Sequence, residues 1–248
     1  MSLRVRCLAA WWIITLLSSA HLPAAAAPIQ LLEAVRNGDP EAVRTLLQTD
    51  VDVNARAGDG ATALHWAVLR EDANTADLLI RAGADVNAAN GLGVTPLVLA
   101  CENGSAALVT ALLEESADPN TATSMGETAL MACARGGDVD AVAALLDRGA
   151  ALDAGESSRG QTALMWAAAH RHPDVVRVLI AHGADVHARS RVSHLLVPTN
   201  AYASGVSHRD TVEMPMGGFT PLLFAARHGD VDSAQLLLDA GAHVNETA

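Results

Sequence analysis

Three groups of residues have the types that chemistry requires. His194, His208 and Asp210 share one short stretch, and such a set could be drawn as a metal site or a hydrolytic pair. His170, His172, His182 and His187 cluster just upstream, and Cys101 and Cys133 are the two cysteines outside the N-terminal apolar segment. Metal and hydrolytic sites need a defined ligand count and geometry, and nothing in the spacing of these residues fixes either. No glycine-rich phosphate loop, Gly-x-Ser-x-Gly elbow or His-Glu-x-x-His pair is present. The three residues of the short stretch therefore read as polar loop residues. No catalytic, cofactor-binding or metal-ligating residue is assigned, no cofactor is expected, and the chain does not read as an enzyme.

The elements that hold these residues follow a repeat. Gly60-Ala-Thr-Ala-Leu-His-Trp-Ala67 returns as Gly93-Val-Thr-Pro-Leu-Val-Leu-Ala100 and Gly126-Glu-Thr-Ala-Leu-Met-Ala-Cys133. It returns again as Gly160-Gln-Thr-Ala-Leu-Met-Trp-Ala167 and Gly218-Phe-Thr-Pro-Leu-Leu-Phe-Ala225. The threonines are spaced 95 − 62 = 33, 128 − 95 = 33, 162 − 128 = 34 and 220 − 162 = 58 residues apart. A fixed period of this size marks a stacked-repeat protein.

Each threonine starts a short inner helix. Its hydroxyl caps an orphan backbone N–H, and Pro96 and Pro221 stand at the first helical position, where no N–H is needed. Leu64, Leu97, Leu130, Leu164 and Leu222 point into the array, and Gly104, Gly137 and Gly229 suit a left-handed helix end. An outer helix follows, carrying Leu-Leu or Leu-Ile pairs, and closes with the tail Ala-Asp-Val-Asn (84–87) and its later variants. Glu71 and Arg171 replace the mid-repeat glycine, and Ser116 replaces the terminal one.

The period and the Thr-x-Leu-His-x-Ala signature resemble the ankyrin repeat. The resemblance implies an all-α solenoid of about six helix-turn-helix repeats, at 28–59, 60–92, 93–125, 126–159, 160–189 and 218–248. The first is degenerate, as terminal repeats usually are. It also implies that partners are held by the concave helix face and the inter-repeat fingers. In this family the histidine kept here as His65 ties turns together. Val98, Met131, Met165 and Leu223 replace it, so the other repeats are expected to rely on packing.

The 58-residue gap holds an insertion at 190–217, between the fifth and sixth repeats. Two β-prone runs, 192–197 and 206–212, flank a polar middle, so an extended finger or partly ordered loop is expected. Long insertions in compact arrays are usually either functional or disordered. A recognition role is favoured over a passive one.

At 100° per residue, the position four after each threonine faces away from the buried leucine. It holds Trp66, Leu99, Ala132, Trp166 and Phe224, and the neighbouring outward positions include Arg70, Glu102, Arg135, His170, Arg227 and His228. Tyr202 lies in the insertion and Phe219 in a finger. Aromatic and arginine side chains are enriched in binding hot spots, so these eleven residues, Ala132 and Leu99 aside, form the expected partner surface. The competing reading makes the tryptophans wedges between helices.

The first 26 residues have Arg4 and Arg6 ahead of an apolar run and then small residues, the layout of a secretory signal peptide cut near Ala26 or Ala27. An exported, periplasmic or extracellular chain is expected, without a membrane span once the signal leaves. The full chain has net charge −12; without Arg4 and Arg6, 14 basic against 28 acidic residues give −14. That acidity argues against nucleic acid or anionic lipid as partner. A protein partner is expected, and no small-molecule substrate.

Cys101 and Cys133 are expected to be reduced, because helix axes in contact lie about 8–10 Å apart while bridged Cα atoms lie within about 7 Å. The last repeat carries little that resembles a polar cap, which raises the expectation of a further C-terminal segment. The alternatives are an enzyme or metal protein using the insertion, or the binding segment of a longer chain.

Overall fold

The computed structural model describes residues 27–199 and 210–245. Among these, twelve helices form six antiparallel pairs: α1 (Ala27–Asn37) with α2 (Pro40–Leu47), α3 (Ala63–Leu69) with α4 (Ala73–Arg81), and α5 (Pro96–Glu102) with α6 (Ala106–Glu114). The series continues with α7 (Ala129–Gly136) and α8 (Val139–Asp147), α9 (Ala163–Ala169) and α10 (Pro173–Ala181), and α11 (Pro221–His228) and α12 (Val231–Asp239). Odd-numbered helices stack in one inner layer and even-numbered helices in an outer one, each pair touching its neighbours. This is the expected all-α ankyrin-repeat solenoid.

Local chemistry sets the helix ends. Thr95, Thr128, Thr162 and Thr220 each accept a hydrogen bond from the backbone N–H three residues on. Asp39, Asp72, Asp138 and Asp230 do the same for the outer helices, and their charge also suits the positive end of the helix dipole. The residues in the left-handed region other than glycine are, among those described, Glu71, Ser116 and Arg171, the three sites where a glycine of the repeat is replaced. Leu64, Leu97, Leu130 and Leu164 are at most 1% exposed, so the inner layer's core is the predicted leucine row.

Repeats are joined by more than packing. His65 Nδ1 accepts from the Thr62 backbone N–H at 3.1 Å, and Nε2 bonds the carbonyl of Val94 in the next repeat at 3.0 Å. Where that histidine is missing, other side chains reach a neighbouring repeat's backbone: Asn103 donates to the Val68 carbonyl at 2.9 Å, and His172 Nε2 bonds that of Arg135 at 2.9 Å. The tail asparagines clamp both ways. Asn54 donates to the Gly83 carbonyl and accepts from Asp85 N–H, and Asn87 and Asn120 repeat the pattern one and two repeats later.

Contrary to the expectation of free thiols, Cys101 and Cys133 form a disulfide between α5 and α7, with Cα atoms 4.5 Å apart. The spacing of helix axes overstates the distance between facing residues. Cα atoms sit on a cylinder of about 2.3 Å radius, so residues on facing sides come about 4.6 Å closer than axes about 8–10 Å apart. Cys101 stands six residues after its threonine and Cys133 five after its own. That offset sets the two face to face, in a layer whose neighbours are Ala100, Ala132 and Ala134.

The fingers between repeats are short hairpins in a ladder. Asn90 N–H bonds the Val94 carbonyl, Thr123 N–H that of Glu127, and Glu156 N–H that of Gln161. Each finger also donates to the one before it, from Gly91 to Asp59, Ser124 to Leu92, Ser157 to Met125 and Arg191 to Arg159. The inserted stretch begins from the same closure. Ser190 N–H bonds the Phe219 carbonyl, and Ser190 Oγ accepts from Phe219 N–H at 2.9 Å. Beyond it the chain runs into an antiparallel hairpin of β1 (Ser193–Thr199) and β2 (Asp210–Met216), registered from Ser193 opposite Met216 to Thr199 opposite Asp210. The insertion is therefore an ordinary finger grown longer. Strand β1 matches the first β-prone run. Strand β2 takes in the end of the second run, 210–212, and continues to Met216; residues 206–209 of that run lie outside the described residues.

Candidate partner-binding surface

The concave side of the inner layer is built by the residues after the capping threonines. A helix that buries its second residue against the stack turns its fourth, seventh and eighth towards the open side. Arg70, Glu102, His170, Arg227 and His228 are exposed there, and Arg135 is half-buried. The two tryptophans are also half-buried, and each lies under a guanidinium from the preceding inner helix: Arg36 over Trp66 at 4.7 Å and Arg135 over Trp166 at 5.4 Å. Neither indole N–H finds an acceptor among the described residues. Each ring packs against the core cluster while some of its surface remains open.

Arg135 is the most connected residue of the face. It pairs with Glu127 at 2.7 Å and with Glu102 at 3.4 Å while covering Trp166. Both pairs are partly buried, with Arg135 at 30% side-chain exposure, Glu127 at 21% and Glu102 at 39%, and together they hold the guanidinium over the ring. Arg70 instead donates to the Arg36 carbonyl at 3.0 Å.

At the fifth and sixth repeats these residues meet the long finger's base and enclose a pocket of about 580 Å³. Trp166, His170, Phe219, Phe224, Arg227 and His228, six of the expected surface residues, all line it. Trp166 and His170 stack with ring centroids 5.7 Å apart, and Arg227 lies over the Phe219 ring at 5.8 Å. His170 is held below the ordinary histidine range by burial and then by the positive charges of His172, Arg135 and His228.

Phe224 departs from its expected place. It is 6% exposed, packed beneath Phe219 with centroids 5.6 Å apart. A phenyl ring has no polar edge to keep at the surface, and the finger's base supplies a lid. Tyr202 lies outside the described residues, as does His208. Trp66, Arg70 and Glu102 lie on the same face but not in the pocket.

Among the pocket residues that sequence reasoning missed are Arg159, Ser190 and Arg191. They belong to fingers, and a finger's side chains have no periodic signal of their own. The finger ladder, once known, places Arg159 and Arg191 side by side, since the Arg191 N–H bonds the Arg159 carbonyl at 2.5 Å. The one remaining chemical set, His194 and Asp210, is split by the hairpin. The two stand 199 − 194 = 5 register steps apart along it, roughly 17 Å at strand spacing.

A solenoid of stacked helix pairs with a concave, arginine- and aromatic-rich face defines a repeat-scaffold protein. The family follows from sequence comparison. A model described as ankyrin repeats (3 copies) matches residues 31–123 and 107–190, and one described as ankyrin repeat matches 217–248. These matches span well over half the chain, which belongs to the ankyrin repeat family. The stretch they leave between them is the long finger. Comparison with curated proteins returned no match.

Proposed function

We propose that this chain is an exported ankyrin-repeat module that binds a protein partner through its concave face and fingers, without catalysis of its own. Ankyrin repeats generally mediate protein–protein interaction and are typically non-enzymatic. The observation that carries the reading for this chain is the gathering of Trp166, His170, Phe219, Arg227 and His228 around one pocket under a lengthened finger. Export is supported by the charged, apolar and small-residue succession of residues 1–26. It is also supported by the Cys101–Cys133 bridge, since disulfides persist in oxidising compartments. Among the described residues no helix is long and apolar enough to cross a membrane. The net charge of −12 disfavours nucleic acid as partner.

The test is an affinity capture from an exported fraction using the wild-type chain and a Trp166→Ala, Arg227→Ala double variant. One or more proteins should be retained by the first and lost by the second. Equal capture by both would remove the concave face as the binding surface. N-terminal sequencing of the exported product should begin near Ala27 or Pro28, and a product that keeps Met1 on a membrane would remove cleavage.

A further inference from the structure

The pocket under the long finger has the opposite charge to the molecule around it. The chain carries 28 acidic residues against 16 arginines and no lysine. The pocket nonetheless takes Arg159, Arg191 and Arg227, and among the described residues no aspartate or glutamate lines it. Nearby carboxylates are occupied elsewhere. Glu156 receives hydrogen bonds from Ser158 and from the Arg159 and Gln161 backbone. Burial pushes its carboxyl up, but those bonds outweigh burial and hold it below the ordinary range, so it stays charged and turned into its own loop. Glu102 and Glu127 are paired with Arg135.

The guanidiniums themselves are placed for use. Arg227 and Arg159 are exposed, and neither stands within ion-pair distance of a carboxylate among the described residues. The Arg227 guanidinium carbon stands 5.8 Å from the Phe219 ring centroid, and a guanidinium that meets an aromatic ring can still donate its N–H groups to another acceptor. Such a planar fork matches a carboxylate in two-point geometry. Trp166 and Phe219 supply apolar walls for the carbon chain that carries one.

We propose that this pocket receives an acidic segment of the partner protein, an extended stretch of aspartate or glutamate whose carboxylates pair with Arg159 and Arg227 while its stems lie on Trp166 and Phe219. This rests on the protein-binding reading given above and names the chemistry of the partner. The occupant is a peptide and not a free ion, because a space of about 580 Å³ greatly exceeds a single inorganic anion. Selectivity follows from the contrast of charge: the rest of the acidic surface repels the same segment, so it is held where the arginines are gathered.

Fluorescence polarisation of a fluorescein-labelled oligoglutamate peptide on the full chain tests this, with oligoglutamine as the neutral control. Oligoglutamate should bind and weaken steeply as sodium chloride is raised, and oligoglutamine should bind at least about tenfold more weakly, as loss of charge-assisted hydrogen bonds requires. Arg159→Ala and Arg227→Ala should each lower oligoglutamate affinity about tenfold. Arg227→Lys should recover part of the loss, and melting curves should stay unchanged because both side chains are exposed. Equal binding of the two peptides, or alanine variants that bind like wild type, would overturn the proposal. So would inorganic phosphate displacing the peptide at matched concentration, since that marks a site for free anions. If the captured partner is lost with Trp166→Ala but kept by Arg159→Ala and Arg227→Ala, the concave-face reading stands and the acidic segment falls. If oligoglutamate binds while no protein is captured, the pocket's preference for acidic chains stands, and the protein-binding reading falls together with the partner assignment that rests on it.

Discussion

Trp66 and Trp166 stand at the same position of their repeats, four residues after the capping threonine, and both lie under an arginine of the preceding inner helix. Their surroundings then part. After Trp66 comes a short finger closed between Asn90 and Val94, and the equivalent side chain of the next helix is Leu99. After Trp166 come Phe224, Phe219 and the long finger, and the open side of the ring becomes the wall of a pocket. The residue is the same and the backbone is the same. What stands over it decides whether it is scaffold or surface. The first region also has the His65 clamp to the next repeat, which the second lacks. The second region is joined instead by the His172 bond to Arg135 and the Ser190–Phe219 closure.

The largest expected effect concerns the link between these regions. The Cys101–Cys133 bridge joins α5 to α7, midway between the two tryptophans. Cys133→Ala should lower unfolding free energy by about 2–4 kcal/mol, read from urea denaturation. Reductant should produce a similar loss in the wild-type chain and none in the variant. Two alkylated thiols in the unreduced wild-type protein, detected by mass spectrometry after denaturation, would show that the bridge is absent.

Substituting the tryptophans tests the comparison itself. Trp166→Ala should cost about 2 kcal/mol or more in affinity for a captured partner, as a hot spot does. Trp66→Ala should change affinity by less than about 0.5 kcal/mol while still destabilising the fold by about 1–3 kcal/mol. A matched loss of affinity in both would mean that the whole concave face binds. No loss in either would make both rings packing.

A third change converts one region into the other. Replacing residues 192–217 with a turn as short as the Asn90–Val94 finger, and keeping Ser190 and Phe219, preserves the base closure. Helical circular dichroism should be retained, with the melting free energy altered by less than about 0.5 kcal/mol. Partner affinity should fall about tenfold, which is about 1.4 kcal/mol. Unfolding would show that the long finger supports the scaffold.

Glu71 and Arg171 serve as a control, since both hold left-handed backbone at the same turn of the two regions. Glu71→Gly and Arg171→Gly should each stabilise the chain by about 0.5–1 kcal/mol, because glycine adopts that conformation without a Cβ clash. Unequal gains would mean that the two turns differ in contacts and not only in sequence.

The smallest effect is confined to the first region. Burial, opposed by the bond to Val94, lowers the pKa of His65 from 6.5. The unfolded chain therefore takes up this proton before the folded one does. The stability from neutral His65 is fully present above pH 6.5 and is lost as pH falls from there towards the lowered folded value. His65→Gln should remove that part of the pH dependence, measured as the difference in denaturation midpoint between neutral and mildly acidic buffer. An unchanged dependence would assign it to another group.

By itself the sequence determined the repeat, the capping threonines, the buried leucine row and the three strained non-glycine turns. Each of these depends on residues within one helix pair, where spacing along the chain fixes position in space. It also marked the concave face, because helical period alone sends the fourth, seventh and eighth residues outward. Only the tertiary structure decided that Cys101 faces Cys133, that Phe224 is covered while Trp166 is not, and that Arg159 and Arg191 join the face. Those outcomes turn on distances of a few ångströms between separate repeats and on how a finger of irregular sequence closes at its base. No period along the chain encodes such distances; they arise when the helices stack.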